Sequence, residues 1–320
     1  MHDFLTEDFR AFSAALGQDP LRVQGPGGNT SIKSGNTMWI KASGTELADA
    51  QHKDIFVAVD RAAAVAQANG AGDGSCKDTV LDPAITLRPS IETTFHAALD
   101  WTVIAHTHSI ATLTHAVSPE GCITLDNKLA GLAFVRVPYA KPGLPLTREI
   151  MARVQPDTQV IVLENHGLIC CANTVAQTAD LMAEVEKRLM MAVHSDMIAV
   201  PSTPAPIDFS WADQSWIGTD NRAARLALSG TYYPDHVVFL GPALSSKDHD
   251  GNPPVIVVEG IGVLIRNDAT PSQRAMLRCL SDLLSRLPAN WAISPIGAEA
   301  EAELLNWDAE KYRQTLASRT

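Results

Sequence analysis

His106-Thr107-His108 closes an apolar run that begins at Val103 and reads as a buried strand. Side chains two apart on a strand point to the same side, so both imidazoles can face one ion. His166, in Glu164-Asn165-His166-Gly167, directly follows a second apolar run, Val160–Leu163, and is the candidate third ligand. Three histidines with an open position are the usual form of a catalytic Zn²⁺ site, and the same set accepts Mn²⁺, Co²⁺ or Fe²⁺. The plainer reading is a chance His-x-His on a half-buried strand. Glu92 stands in Arg88-Pro89-Ser90-Ile91-Glu92, where Pro89 and Ser90 suit a helix start and put Glu92 in its first turn. There it either complements the helix macrodipole or acts as a general acid/base beside a metal. His96, one turn later, reads as a packed or capping histidine.

Two small-residue turns, Gly27-Gly28-Asn29-Thr30-Ser31 and Lys41-Ala42-Ser43-Gly44-Thr45, could present free N–H and hydroxyl groups to an anion, with Ser90 as a further contact. Each is also ordinary hairpin chemistry. Lys41 is either a point charge for that anion or a solvated strand-end lysine.

These groups need strands and helices to position them. Helical spacing covers residues 3–17, and helices are also expected at Ser90–Asp100, Ala111–Ala116, Thr147–Val154 and Thr174–Ala199. Strands are expected around residues 29–33, 37–41, 55–59, 103–108, 133–137, 160–163 and 167–172, and residues 66–82 read as a loop. Three prolines in Val200–Pro206 break the long helix and suggest a domain boundary. The expected organisation is a catalytic domain over 1–200 and a small α/β domain over 207–320. In the latter, Val237–Leu240, Val255–Val258 and Gly262–Ile265 read as strands, with helices at Asp220–Leu228, Ser272–Leu287 and Ala298–Leu316. Tyr232-Tyr233-Pro234-Asp235-His236 reads as a substrate loop or a cap on the first of those strands.

The chain has 320 residues, 46% hydrophobic and 19% charged, which is globular composition. Its 36 acidic and 25 basic residues leave a net charge of -11, against nucleic-acid binding but compatible with a small anionic substrate in a locally positive pocket. Five cysteines, two adjacent and none in Cys-x-x-Cys, read as reduced thiols. With no signal-peptide pattern at the N-terminus and no long apolar run, the expectation is a cytoplasmic protein without membrane contact.

Taken together, Gly27–Ser31, Lys41–Thr45, Pro89-Ser90-x-Glu92, His106-x-His108 and Asn165-His166-Gly167 occur in the order and at the separations of the class II aldolase/adducin family, which residues 5–200 resemble. The pattern is most similar to the aldolase half of bacterial bifunctional rhamnulose-1-phosphate aldolase/lactaldehyde dehydrogenases, although no Gly-x-Gly-x-x-Gly turn of a dehydrogenase half is seen. The resemblance implies a three-layer α/β/α fold around a mainly antiparallel sheet. It also implies Zn²⁺ on His106, His108 and His166, Glu92 as acid/base, and substrate phosphate held by Asn29, Ser43, Gly44 and Ser90. A homo-oligomer, commonly a cyclic tetramer with sites between subunits, goes with the family. Where fuculose-type members carry a second serine this chain has Ile91, and Lys41 could replace the lost donor.

The implied reaction is cleavage of a ketose 1-phosphate or related hydroxy-ketone, with the metal stabilising enediolate charge as the C–C bond breaks. A second acid is required for the aldehyde oxygen, and Tyr139, in Val137-Pro138-Tyr139, is the candidate, alone or from a neighbouring subunit. Its other reading is a rim aromatic. A sugar-phosphate 4-epimerase, decarboxylase or dehydratase would use the same metal site. A non-catalytic adducin-like interaction module is the remaining alternative, against which all three histidines and Glu92 are present.

Overall fold

A computed structural model describes residues 5–194, 200–247 and 252–317 of the chain. Strands β1 (Asn29–Ser34), β2 (Thr37–Lys41), β3 (Phe56–Asp60), β4 (Val103–Thr107), β5 (Phe134–Val137), β6 (Val160–Leu163) and β7 (Gly167–Ala172) form one sheet. Their order is β3-β2-β1-β4-β7-β6-β5, and every neighbouring pair is antiparallel except β5 with β6. Because strand side chains alternate, the central strands feed two cores. Val103, Ala105, Val160, Val162, Leu168 and Cys170 face one side. Ile104, Ile161, Leu163, Ile169 and Cys171 face the other. That two-sided burial explains why β4, β6 and β7 read as continuous apolar runs rather than alternating ones.

Helices cover both faces. On the first side lie α1 (Glu7–Gln18), α4 (Ile110–Ala116), α5 (Pro119–Lys128) and α7 (Val175–Leu189), and on the second α2 (Arg61–Ala68), α3 (Thr93–Ala98) and α6 (Leu144–Met151). The result is the expected three-layer arrangement. Helix starts follow their caps: Thr6, Asp60, Ser109, Ser118 and Thr174 each accept a hydrogen bond from the backbone N–H three residues on. Helix α2 occupies part of what reads in sequence as the start of a loop, and α5 lies where the sequence signals only a stop at Ser118-Pro119; both owe their starts to those caps. Of the long helix expected over Thr174–Ala199, the described part ends at Leu189, and residues 195–199 lie outside the described residues.

After residue 206 come β8 (Phe209–Trp211), α8 (Trp216–Thr219), α9 (Asn221–Ser229), α10 (Pro234–Leu240), β9 (Val255–Val258), β10 (Gly262–Arg266), α11 (Pro271–Leu284), α12 (Ala298–Leu305) and α13 (Asp308–Ala317). The strands make a small antiparallel sheet, β8-β10-β9. One expectation fails here: Val237–Leu240 is not a strand but the body of α10, with Pro234 in its first turn. Four buried apolar residues fit either element, and the proline supplies the helical φ that decides it. This second unit packs on the first through α4 and its C-cap, whose Ile110, Leu113 and Val117 share a core with Trp216, Tyr232, Tyr233 and the apolar face of α11. No helix among the described residues is long and apolar enough to cross a membrane, and all five cysteines are buried free thiols.

Candidate metal centre

β4 and the β6–β7 turn bring the three histidines together. His106 stands in β4 directly opposite Asn29 of β1 and Ile169 of β7, so Asn29 and His106 are neighbours on one face of the sheet. His108 lies just beyond the strand. His166 sits in the tight turn joining β6 to β7, where Asn165 adopts a left-handed φ of 54°. Gly167 follows because the turn presses on β4: a Cβ there would stand 2.2 Å from the Thr107 carbonyl oxygen. Ring centroids are 5.0 Å apart for His106–His108 and for His106–His166, and 5.3 Å for His108–His166. The nitrogens they offer lie within 4.8 Å of one another, and all three residues are buried.

The donor atoms are left free. His106 Nδ1 donates to the Leu168 carbonyl at 3.1 Å, which fixes the tautomer and leaves Nε2 without a partner. That Nε2 is 3.5 Å from Glu92 Oε2, and His166 Nε2 is 3.7 Å from Glu92 Oε1. His166 Nδ1 and Glu92 Oε1 also have no hydrogen-bond partner. Burial, reinforced by the neighbouring rings, holds His106 and His166 below the ordinary histidine range, so both are neutral, the form that ligates a metal. Each orphaned buried polar atom costs about 1–3 kcal/mol. Clustered imidazole nitrogens and a carboxylate oxygen with no hydrogen-bond partner are a donor set that fits a divalent cation.

Glu92 is placed differently from the sequence expectation. The helix starts at Thr93, not Ser90, and Glu92 is its N-cap with φ −104° and ψ 9°, making no side-chain cap bond. Its carboxylate turns to the histidines and is held by a polar chain across the sheet. Asn29 Nδ2 donates to Glu92 Oε2 at 2.8 Å and to Ser90 Oγ at 3.2 Å. Asn29 Oδ1 in turn accepts from His96 Nε2, and Ser31 Oγ lies 2.7 Å from His96 Nδ1. With Nε2–H committed to Asn29, Nδ1 is the acceptor and Ser31 the donor. His96 is thus fully buried, neutral through burial, and a packed link rather than a ligand.

The two small-residue turns meet at the same place. Asn29, Lys41, Ser43, Gly44, Ser90 and Glu92 all line one small cavity with His108 and His166. Ser43 N–H bonds the Arg88 carbonyl and Ser90 N–H the Lys41 carbonyl, stitching the turn to the segment before Glu92. Lys41 is buried rather than solvated; its Nζ donates to the carbonyls of Pro26 at 2.9 Å and Thr45 at 2.6 Å. Burial, with Arg313 nearby, pushes it down to about 7. Tyr139 is not among the cavity-lining residues. Its hydroxyl is buried without a partner, and burial, with Glu303, Glu310 and Glu301 adding their charge, raises it above the usual phenol range.

Sequence reasoning missed two charged side chains in this cavity, Asp235 and Arg313. Asp235 Oδ2 lies 3.3 Å from His108 Nδ1, and its Oδ1 pairs with Arg313 Nη1 at 2.9 Å. Arg313 also pairs with Glu310 at 2.9 Å. Burial would raise the Asp235 carboxyl, yet Arg313 and His108 hold it well below the ordinary carboxylate range. The Tyr232–His236 segment was visible in sequence, but nothing there links it to Arg313.

The model of the "Class II Aldolase and Adducin N-terminal domain" matches residues 12–193, more than half of the chain. The chain belongs to this family. A solved class II aldolase family relative, the N-terminal class II aldolase domain of a conserved protein from Thermoplasma acidophilum, is 26% identical with a TM-score of 0.52, covering 59% of this chain and 93% of that one. An aldolase II superfamily protein from Pseudomonas syringae is 18% identical, TM-score 0.42, over 58% and 75% of the two chains. A curated relative from Bacillus subtilis (strain 168), named "Uncharacterized oxidoreductase YuxG", is 28% identical over 194 residues, 55% of this chain. The match spans only 28% of that relative's length. The family model ends at residue 193, ahead of Asp235 and Arg313.

Proposed function

We propose that the protein is a Zn²⁺-dependent aldolase that cleaves, and in reverse forms, a C–C bond in a ketose 1-phosphate or related hydroxy-ketone. The observation that carries this reading is Glu92, whose unpartnered Oε1 lies 3.7 Å from His166 Nε2 and whose Oε2 lies 3.5 Å from the unpartnered Nε2 of His106. His106, His108 and His166 would hold the ion. A bound divalent cation supplies Lewis-acid charge stabilisation to a carbonyl and an adjacent hydroxyl.

The chain's own groups supply the rest. Glu92, oriented through Oε2 by Asn29, leaves Oε1 to take or return a proton at the substrate carbon beside the carbonyl. Lys41, with Ser43, Gly44 and the Ser90 hydroxyl, lines the end of the cavity suited to an anionic group. Protonation of the departing aldehyde oxygen needs a second acid. In one chain Tyr139 lies outside the cavity lining, so this reading takes it from a neighbouring copy and goes with a symmetric homo-oligomer, a tetramer by family resemblance.

The test is a retro-aldol screen of ketose 1-phosphates and unphosphorylated analogues with the Zn²⁺-loaded chain. Release of an aldehyde and a three-carbon ketone, abolished in His166→Ala, is the expected result. Recovery of a 4-epimer without cleavage, or release of CO₂ or water instead, would assign the site to epimerisation, decarboxylation or dehydration.

A further inference from the structure

The family match ends at residue 193, yet a pair of side chains from beyond it reaches the histidine cluster. Asp235, in the first turn of α10, is 2% exposed. Its Oδ2 lies 3.3 Å from His108 Nδ1, at ion-pair distance, and makes no hydrogen bond to any other group. Its Oδ1 is taken by Arg313 of α13 at 2.9 Å. The approach of Asp235 to His108 requires glycine at position 27: a Cβ there would stand 2.8 Å from His108 Nδ1 and 2.9 Å from Asp235 Oδ2. Helix α13 is itself seated on the site. Leu316 packs against Gly44, where a Cβ would meet its Cδ1 at 2.3 Å. The Arg88 guanidinium lies 3.9 Å over the Tyr312 ring, and Gln314 donates to the Val238 carbonyl of α10.

We infer that Asp235 is a positioning residue of the metal centre: it holds Nδ1 of His108 so that Nε2 is the ligating nitrogen, and Arg313 holds Asp235, so the C-terminal helix completes the site. This rests on the reading of the three histidines as a metal centre. A carboxylate on the outer nitrogen of a ligating histidine fixes its tautomer and ring orientation and raises its basicity as a ligand. His106 receives the milder form of the same support from the Leu168 carbonyl, and His166 receives none at Nδ1. Among the three, His108 is therefore the ligand anchored by a formal charge. A purely architectural Arg313–Asp235 pair would pin α13 equally well with Oδ2 turned elsewhere; here Oδ2 is turned to the imidazole.

The experiment is Co²⁺ and Zn²⁺ titration of the metal-free full chain, with chelator competition for affinity and the Co²⁺ visible spectrum for ligand geometry. Wild type, Asp235→Asn, Arg313→Met and Arg313→Lys are compared. The expected loss for Asp235→Asn is about 10- to 100-fold in affinity, with an altered Co²⁺ spectrum at unchanged stoichiometry. Arg313→Met, which keeps the Asp235 carboxylate but frees it, should weaken binding in the same direction, and Arg313→Lys should restore part of it. Arg313→Met carries the test if Asp235→Asn does not fold, as judged by its metal-free melting curve. Wild-type binding with unchanged affinity and spectrum in the variants overturns the inference and leaves the metal centre standing. No ion bound by wild type overturns both.

Discussion

Glu92 receives a single side-chain hydrogen bond, from Asn29, and its other oxygen is left to the histidines and the cavity. Glu92→Gln keeps the shape and the Asn29 contact but cannot exchange a proton. The expected result is a folded protein, by circular dichroism, whose turnover is lower by on the order of a hundredfold or more; unchanged turnover would make Glu92 a structural cap. Lys41 gives a pH prediction at the same scale. Its ammonium is charged below about 7 and neutral above. If it meets the anionic end of the substrate, kcat/KM for a phosphorylated substrate falls as pH rises through about 7, while an unphosphorylated analogue lacks that limb. Lys41→Met should remove the limb and cost about 1.5–3 kcal/mol below it, typical of a charged hydrogen bond; equal pH profiles for the two substrates would exclude that contact. The residue types of this site were legible in the sequence because histidine, glutamate and small-residue turns are few and ordered. Which partner Asn29 finds was not. Both its N–H groups go to Glu92 and Ser90, an outcome set by the β1–β4 register and by where α3 begins.

At the scale of elements, the site depends on the close approach of the β6–β7 turn to β4. Gly167→Ala would force a Cβ against the Thr107 carbonyl oxygen and the His108 Cα, both backbone atoms that cannot swing aside. Overpacking of this kind costs about 1–3 kcal/mol, so thermal unfolding of the variant should shift down by that amount; an unchanged transition would mean that the turn has slack the structure does not show. Apolar runs revealed β4, β6 and β7 because both faces of the sheet are covered. The same signal misled at Val237–Leu240, where a short buried run carries no period long enough to separate strand from helix. The informative residues there were Pro234 and Asp235 before the run: proline in the first turn starts a helix, and the aspartate it delivers ends beside His108.

Across the whole molecule, the histidines come from the unit that the family covers, while the polar support around them comes partly from the unit it does not. Asn165, next to His166, donates to the carbonyls of Tyr232 at 3.1 Å and Ser294 at 2.8 Å, so the ligand turn is also tied to the C-terminal unit. Contacts between residues so far apart leave no trace in local composition or periodicity, which is why the fold of the first unit could be read and its junction with the second could not. The central claim is that His106, His108 and His166 hold a catalytic divalent ion. Metal analysis of the 320-residue chain, purified without chelator and repeated for the three single alanine variants, tests it directly. The prediction is about one divalent ion per chain in wild type, lost or strongly depleted in His106→Ala, His108→Ala and His166→Ala, each still folded. A folded wild type that takes up no divalent ion, or a stoichiometry unchanged by removal of these imidazoles, would contradict it.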